Sequence, residues 1–252
     1  MSGPSTGYWS TVPLGPGVEL LTEDSNGLAA LSKPEGVLSQ PTDGKANGRN
    51  LIRAAYDEAE ECYHWASTSG VPQKLWLLNR LDSATSGVIL VATQRELAVE
   101  IRAQFKRKQV RKVYQAVVFG VPRQPQEVWR DMLSIQKKAG QIRTSASGNI
   151  PCESRMSVVR LGRTSPRVAL IRLEPRTGRS HQLRVQCAKR MLPIVGDQTY
   201  GDFEANRQFA KAHDTKRLFL HSTETTFSYE YRGRTVSFAA KAPLPPGFDA
   251  VL

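Results

Sequence analysis

Five consecutive apolar residues, Val88-Ile89-Leu90-Val91-Ala92, stand directly behind a loop of small and polar residues, Asn79-Arg80-Leu81-Asp82-Ser83-Ala84-Thr85-Ser86-Gly87. An apolar, β-branched run of this length reads as a buried strand, and so requires a packed sheet around it. The loop ahead of it sets Arg80 and Asp82 two residues apart on that rigid support, where catalytic side chains tend to be held. A plainer role is also open, because Asp in a Ser/Thr/Gly-rich turn commonly bonds its own backbone. Taken alone, the segment favours the plainer role.

Further strands read at 112–119, at 155–161 with 168–173 around a turn at 162–166, and at 218–229 with 235–239 around Arg232-Gly233. Residues 18–31 are short strand material, Lys33-Pro34-Glu35-Gly36 is a turn, and 40–50 is a polar loop. Helices are expected at 50–63, where Leu51, Ala55, Ala59 and Cys62 recur at helical spacing, and at 180–191. A third follows Thr93-Gln94-Arg95-Glu96, a capping box, with Leu97, Ile101 and Phe105 on one face and Lys106-Arg107-Lys108 at its negative pole. Residues 1–17, with three Pro and four Gly, read as a tail or loosely packed arm. Strands mixed with a few helices, without regular βαβ alternation, indicate an α+β fold. No internal repeat or linker divides the chain, so 18–252 reads as one catalytic-sized domain.

The chain has 252 residues, enough for one large core or two smaller ones. No apolar run reaches the length of a membrane span, and the N-terminus lacks a basic start and apolar stretch, so a cytoplasmic protein is expected. Cys62, Cys152 and Cys187 form no CxxC pair and the four histidines lack ligand spacing, so neither a disulfide framework nor a metal site is expected. The formal charge of +12 is uneven. Residues 1–63 hold 4 basic and 9 acidic side chains, against 31 and 14 in the remainder. Seven basic residues and no acid lie between Arg102 and Arg123, and a second basic run follows from Arg172 to Arg190. Such concentration points to a polyanionic partner, nucleic acid first, with a solvated surface as the plain alternative.

Tyr114 lies inside the acid-free run, where a ring among cations offers a base a stacking surface; a half-buried sheet residue is the plain reading. In Glu174-Pro175-Arg176-Thr177-Gly178-Arg179-Ser180-His181-Gln182-Leu183-Arg184, Thr177 or Ser180 is placed to cap the following helix. Arg179 then sits near a helix N-terminus, where a cation opposes the dipole. An arginine placed against local preference suggests pairing with a carboxylate or phosphate, and Asp82 is the carboxylate of choice. His181 reads as a packing or hydrogen-bonding residue. The chain has no phosphate loop, no dinucleotide fingerprint and no Gly-x-Ser-x-Gly elbow.

In order along the chain, these segments resemble the RluA-type RNA pseudouridine synthases. The matching pieces are Lys33-Pro34-x-Gly36, Arg80-Leu81-Asp82-x-x-Thr85-Ser86-Gly87, Lys112-x-Tyr114 and Thr177-Gly178-Arg179-Ser180-His181-Gln182-Leu183-Arg184. They continue with Pro193-Ile194-x-Gly196-Asp197-x-x-Tyr200-Gly201, Leu220-His221 and Ala242-Pro243-Leu244-Pro245. The resemblance implies the pseudouridine synthase fold, a mixed, mainly antiparallel sheet in two lobes with flanking helices and a central cleft. It implies an isomerase that converts a uridine in structured RNA, transfer or large-subunit ribosomal, to pseudouridine without cofactor or metal; a monomer with no membrane partner and no nucleotide cofactor is the accompanying expectation. The family's essential aspartate falls on Asp82, its arginine on Arg179, its base-stacking tyrosine on Tyr114 and a packing aliphatic on Leu183. Arg80 is placed to fill the gap left by a flipped base, and Lys108, Arg111, Lys112 and His181 complete the set expected to contact RNA. Two departures stand out. Asn79 occupies a position where many members carry His, and residues 1–63 are acidic and too short to be expected to hold the basic S4-type module that many members carry. The competing readings are a non-catalytic RNA-binding or RNA-folding protein on the same scaffold, and a metal-dependent hydrolase using Asp82.

Overall fold

The computed structural model describes residues 8–41, 48–138, 141–163 and 166–252. The expected polar loop at 40–50 and the turn at 162–166 therefore lie partly outside the described residues. The chain divides into two units, Met1–Val110 with Glu224–Ala242, and Arg111–Thr223 with Pro243–Leu252. The first contains β1 (Glu19–Glu23), β2 (Leu28–Lys33), β3 (Ala55–Asp57), β4 (Cys62–Ala66), β5 (Pro72–Leu77), β6 (Ser86–Ala92) and α1 (Arg95–Lys106). The second contains β7 (Arg111–Phe119), β8 (Gln126–Lys138), β9 (Gln141–Leu161), β10 (Val168–Pro175), α2 (Gln182–Lys189) and α3 (Phe203–His213). Next come β11 (Leu220–Tyr231), β12 (Arg234–Lys241) and α4 (Gly247–Ala250). Residues 220–223 of β11 belong to the second unit and 224–231 to the first. The fold is α+β with a mainly antiparallel sheet, as the sequence indicates.

In the first unit β6 is buried at every position. It pairs antiparallel with β2, Leu31 opposite Ile89 and Ala29 opposite Val91. On one face Leu28, Trp76, Leu90 and Phe227 meet Leu97, Ala98 and Ile101 of α1. The apolar stripe of α1 is therefore where its spacing places it, but the capping box does not form. The N-cap is Gln94, without a side-chain cap bond. Thr93 instead extends the β2–β6 pairing beyond Leu28 and Ala92, its N–H donating to the Gly27 carbonyl (3.0 Å), so the helix starts later.

The helix expected at 50–63 is replaced by an extended segment and the β3–β4 hairpin. Leu51 and Ile52 are fully buried, but Ala59, part of the apparent helical stripe, is exposed. The pattern that decides the outcome is two-fold: Tyr56 and Tyr63 face each other across the hairpin, their rings 4.9 Å apart. Asp57 accepts from the N–H groups of Ala59 and Glu60, and Glu61 takes φ 50°, which closes the turn. Residues 8–17 form an arm that is packed, not loose. Trp9 and Val12 are buried, Gly15 N–H donates to the Leu51 carbonyl, and Arg53 N–H donates to that of Pro13. A Cβ on Gly15 would stand 2.0 Å from the Asn50 carbonyl oxygen, so only glycine fits there.

In the second unit β7, β10, β9 and β8 pair antiparallel in that order. The sequence reading missed β8 and most of β9, whose Ser-, Gly- and Arg-rich segments show little alternation. Leu133 pairs with Ile150 but Ser134 with Ser145, so β9 carries a bulge at 146–149. Gly148 sits in that bulge, where a Cβ would be 2.3 Å from the Leu133 carbonyl oxygen. Helix α2 begins at Gln182 with His181 as its N-cap in the left-handed region (φ 55°), and neither Thr177 nor Ser180 caps it. The hydroxyl of Thr177 is committed elsewhere, to Gln182 Oε1 and the Glu153 N–H. Helix α3, also unforeseen, is capped by Asp202 accepting from Ala205 N–H. Phe119, Phe209, Phe219 and Phe248 form a line of ring contacts that seats α3 and α4.

Candidate active site

The Asp82 loop is fixed by its backbone. Asp82 carbonyl oxygen accepts from Thr85 N–H (3.0 Å), which makes a tight turn. Ser39 clasps the residue before Asp82, its Oγ donating to the Leu81 carbonyl (2.7 Å) and accepting from Leu81 N–H (3.1 Å). Tyr63 Oη donates to the Ser39 carbonyl (2.7 Å), so the β4 strand buttresses the clasp. After Asp82, the Ser83 carbonyl accepts from Gly36 N–H (2.8 Å) and from Lys33 Nζ (3.0 Å). Asn79 Oδ1 accepts from Leu90 N–H (2.8 Å), tying the loop to β6. The residue at the familiar histidine position thus supports the loop, a task an amide does without titrating. Asp82 itself is half-buried, and Arg80 is exposed with Nη1 3.4 Å from Gln40 Oε1.

Lys33 lies beneath this loop with no exposed surface. Its ammonium also donates to the carbonyls of Pro34 (2.9 Å) and Val37 (2.7 Å). Burial lowers its pKa from the usual 10.5 to about 7, and the charges of Asp82 and Glu35 act against that shift. Asp82 therefore has a cation under its own turn. In the sequence Lys33 stands out only as part of a turn motif; a lysine closing the otherwise buried β2 is the signal of its role.

The second unit carries Tyr114, Arg179 and Leu183. Tyr114 is half-buried on β7 opposite Leu173 of β10. Strand alternation puts Lys112 on the same face as Tyr114. Lys112 Nζ lies 3.6 Å from where a Cβ on Gly178 would be, so this face looks onto the turn that bears Arg179. That turn is braced on β9: Gln182 Oε1 accepts from Arg179 N–H (3.1 Å), while Gln182 Nε2 donates to the Glu153 carbonyl and Ser154 Oγ. Arg179 is exposed, and Leu183 is buried on the first turn of α2. Lys112 is drawn down to about 8 by burial.

The basic run is partly compensated within the protein. Arg107 pairs with Glu100 (2.9 Å) and Arg111 with Glu174 (3.0 Å), which also holds Arg172. The carboxyl of Glu174 is raised by burial, but its arginine contacts outweigh this and hold it below the usual range. Among the described residues, no ion pair engages Lys106, Lys108 or Lys112. His181 bonds Tyr200 through Nδ1 (2.8 Å), the hydrogen-bonding role its setting suggested. Among the described residues, no group of three or more His, Cys, Asp or Glu side chains is disposed to hold a metal.

The architecture is that of pseudouridine synthases. Human RNA pseudouridylate synthase domain containing 1 matches with a TM-score of 0.67 at 21% identity, covering 93% of this chain and 87% of that one. Residues 27–189 match the RNA pseudouridylate synthase family, and the chain belongs to it. It is similar to tRNA pseudouridine synthase C of Yersinia pestis, 32% identical over 234 residues, 89% of this chain and 86% of that protein. It is also similar to the dual-specificity RNA pseudouridine synthase RluA of Haemophilus influenzae, 30% identical over 232 residues, 91% of this chain and 95% of that protein. The protein is an RNA pseudouridine synthase, an isomerase.

Proposed function

We propose that the substrate is a uridine in a transfer-RNA or ribosomal-RNA stem-loop, flipped from its stack, and that Asp82 is the group that attacks the ribose or removes its 2′ proton. The observation that carries this is the bracing of Asp82. Lys33, Ser39, Asn79 and the turn bond to Thr85 fix its backbone, while the carboxylate stays half-exposed above a buried ammonium. Preorganisation of this kind around one carboxylate suits chemistry that depends on its position. The N1–C1′ bond breaks, the uracil turns, and a C5–C1′ bond forms; C5 loses a proton and N1 gains one, so atoms balance. Tyr114 stacks on the extruded ring and Leu183 packs against it. Arg179 contacts the reacting nucleotide, and Arg80 occupies the vacated place in the stack. Lys106, Lys108, Lys112 and His181 contact the RNA backbone, offsetting the few kcal/mol that flipping costs. Arg111, paired with Glu174, has less charge to offer. The enzyme works as a monomer in the cytoplasm, without cofactor.

The test is in vitro conversion of transcribed transfer and ribosomal RNA fragments, with pseudouridines mapped by position. Asp82→Asn should yield no product while binding the same RNA within about twofold of the parent. Product at the parental rate from that variant would overturn the assignment of Asp82.

A further inference from the structure

The turn carrying Arg179 has a second brace, separate from Gln182, and it runs through Tyr200. The Tyr200 hydroxyl oxygen accepts from the backbone N–H of Thr144 (2.9 Å) and lies 2.8 Å from His181 Nδ1. Thr144 Oγ1 in turn donates to the Ser180 carbonyl (3.0 Å). Ser180 and His181 are the two residues that follow Arg179, so both are tied to one point on β9, directly or through a single phenol oxygen. His181 is left-handed at φ 55°, a conformation that a non-glycine residue holds only when its surroundings impose it.

The phenol is itself held firmly. Tyr200 N–H donates to Asp197 Oδ1 (3.0 Å). Asp197 is 1% exposed and receives two parallel bonds of 2.8 Å from the Arg184 guanidinium, which lies 5.1 Å from the centre of the Tyr200 ring. The loop around it allows no slack either, since at Gly196 (φ 79°) a Cβ would meet the Arg217 carbonyl oxygen at 1.7 Å. A hydroxyl that already accepts one N–H can donate to neutral imidazole or accept from the protonated ring, so the clamp survives either form of His181. This adaptability is what tyrosine supplies and phenylalanine lacks.

We propose that Tyr200 is a positioning residue for the reaction: it sets the Arg179 turn by clamping His181 to Thr144, and its hydroxyl contributes to turnover only through Arg179. This rests on the assignment of Arg179 to the reacting nucleotide.

Five proteins test it: the parent, Tyr200→Phe, Arg179→Lys, the double variant of these two, and Thr144→Val. Single-turnover conversion, RNA affinity and thermal unfolding are measured for each. Tyr200→Phe should bind RNA within about twofold of the parent and convert it tenfold or more slowly. In the Arg179→Lys background the same change should have no further effect, because interactions acting through one group are not additive. Thr144→Val, isosteric and suited to a strand, removes the tie to Ser180 and should reproduce the slow conversion in milder form. If Arg179→Lys converts RNA at the parental rate, the assignment of Arg179 fails. If Arg179→Lys is slow but Tyr200→Phe slows it again by the same factor, or if Tyr200→Phe is as fast as the parent, the positioning role alone is wrong.

Discussion

Lys33 illustrates how much a single side chain can hold. Three carbonyls, of Pro34, Val37 and Ser83, converge on its ammonium, and no water reaches it. Lys33→Met keeps the bulk but strands those acceptors, so a loss of about 1–3 kcal/mol is expected from each left unsatisfied, together with a fall in conversion rate as the Asp82 turn loosens. The pH dependence has a definite sign. The folded pKa, about 7, lies below the unfolded value, 10.5, so between them the unfolded chain binds the extra proton. Parental stability should therefore rise with pH from about 7 towards 10.5 relative to Lys33→Met, and be flat below 7. Urea unfolding of both proteins at pH 7 and pH 9.5 reads this difference, and equal slopes would refute it. Asp82 and its loop could be read directly from sequence because they are contiguous; Lys33 and Tyr200 could not, because their roles arise from partners roughly 50 positions away in each case.

At the scale of elements, α2 is secured by charge at both ends. Its start is held by the buried Arg184–Asp197 pair, and its end by Asp131 of β8, which accepts from Lys189 (2.7 Å), Arg190 (2.9 Å) and Gln186 (2.9 Å). The Asp131 carboxyl, raised by burial, is brought below its ordinary range by those donors. Asp197→Ala takes both carboxylate bonds away from the buried Arg184 guanidinium, so a destabilisation of about 3–5 kcal/mol is expected by chemical denaturation. A double change of both partners to apolar residues should recover much of it. Strands with strong apolar character, such as β6 and β7, were legible because their residues alone demand burial. The stretch at 50–63 misled because Leu51, Ala55, Ala59 and Cys62 matched a helical period by chance, while the cross-strand pair Tyr56–Tyr63 decided the structure. The β8 strand was hidden for the opposite reason: partners across the sheet, and not its own alternation, make it a strand.

For the whole molecule, charge and chain order are the governing quantities. Ion pairs take up Arg102, Arg107 and Arg111, which leaves Lys106, Lys108, Lys112 and Arg123 as the cations of that run with no ion pair among the described residues. RNA affinity should fall steeply with salt, and replacing any one of these lysines with Ala should lower the slope of log K against log salt by about 0.7–0.9. An unchanged slope in all three variants would remove them from the interface. The order of the chain sets a different condition. The first unit needs Phe227, Tyr229, Phe238 and Ala240 for its core, yet 111–223 come between them and the rest of that unit. During synthesis, some 130 residues must follow Val110 before that core can close, on the order of ten seconds at typical elongation rates. Throughout that interval the nascent chain presents uncovered apolar surface, which makes it a natural client for holding chaperones. The Asp82 loop is made in the first third of translation, and the core of its own unit closes only near the last step.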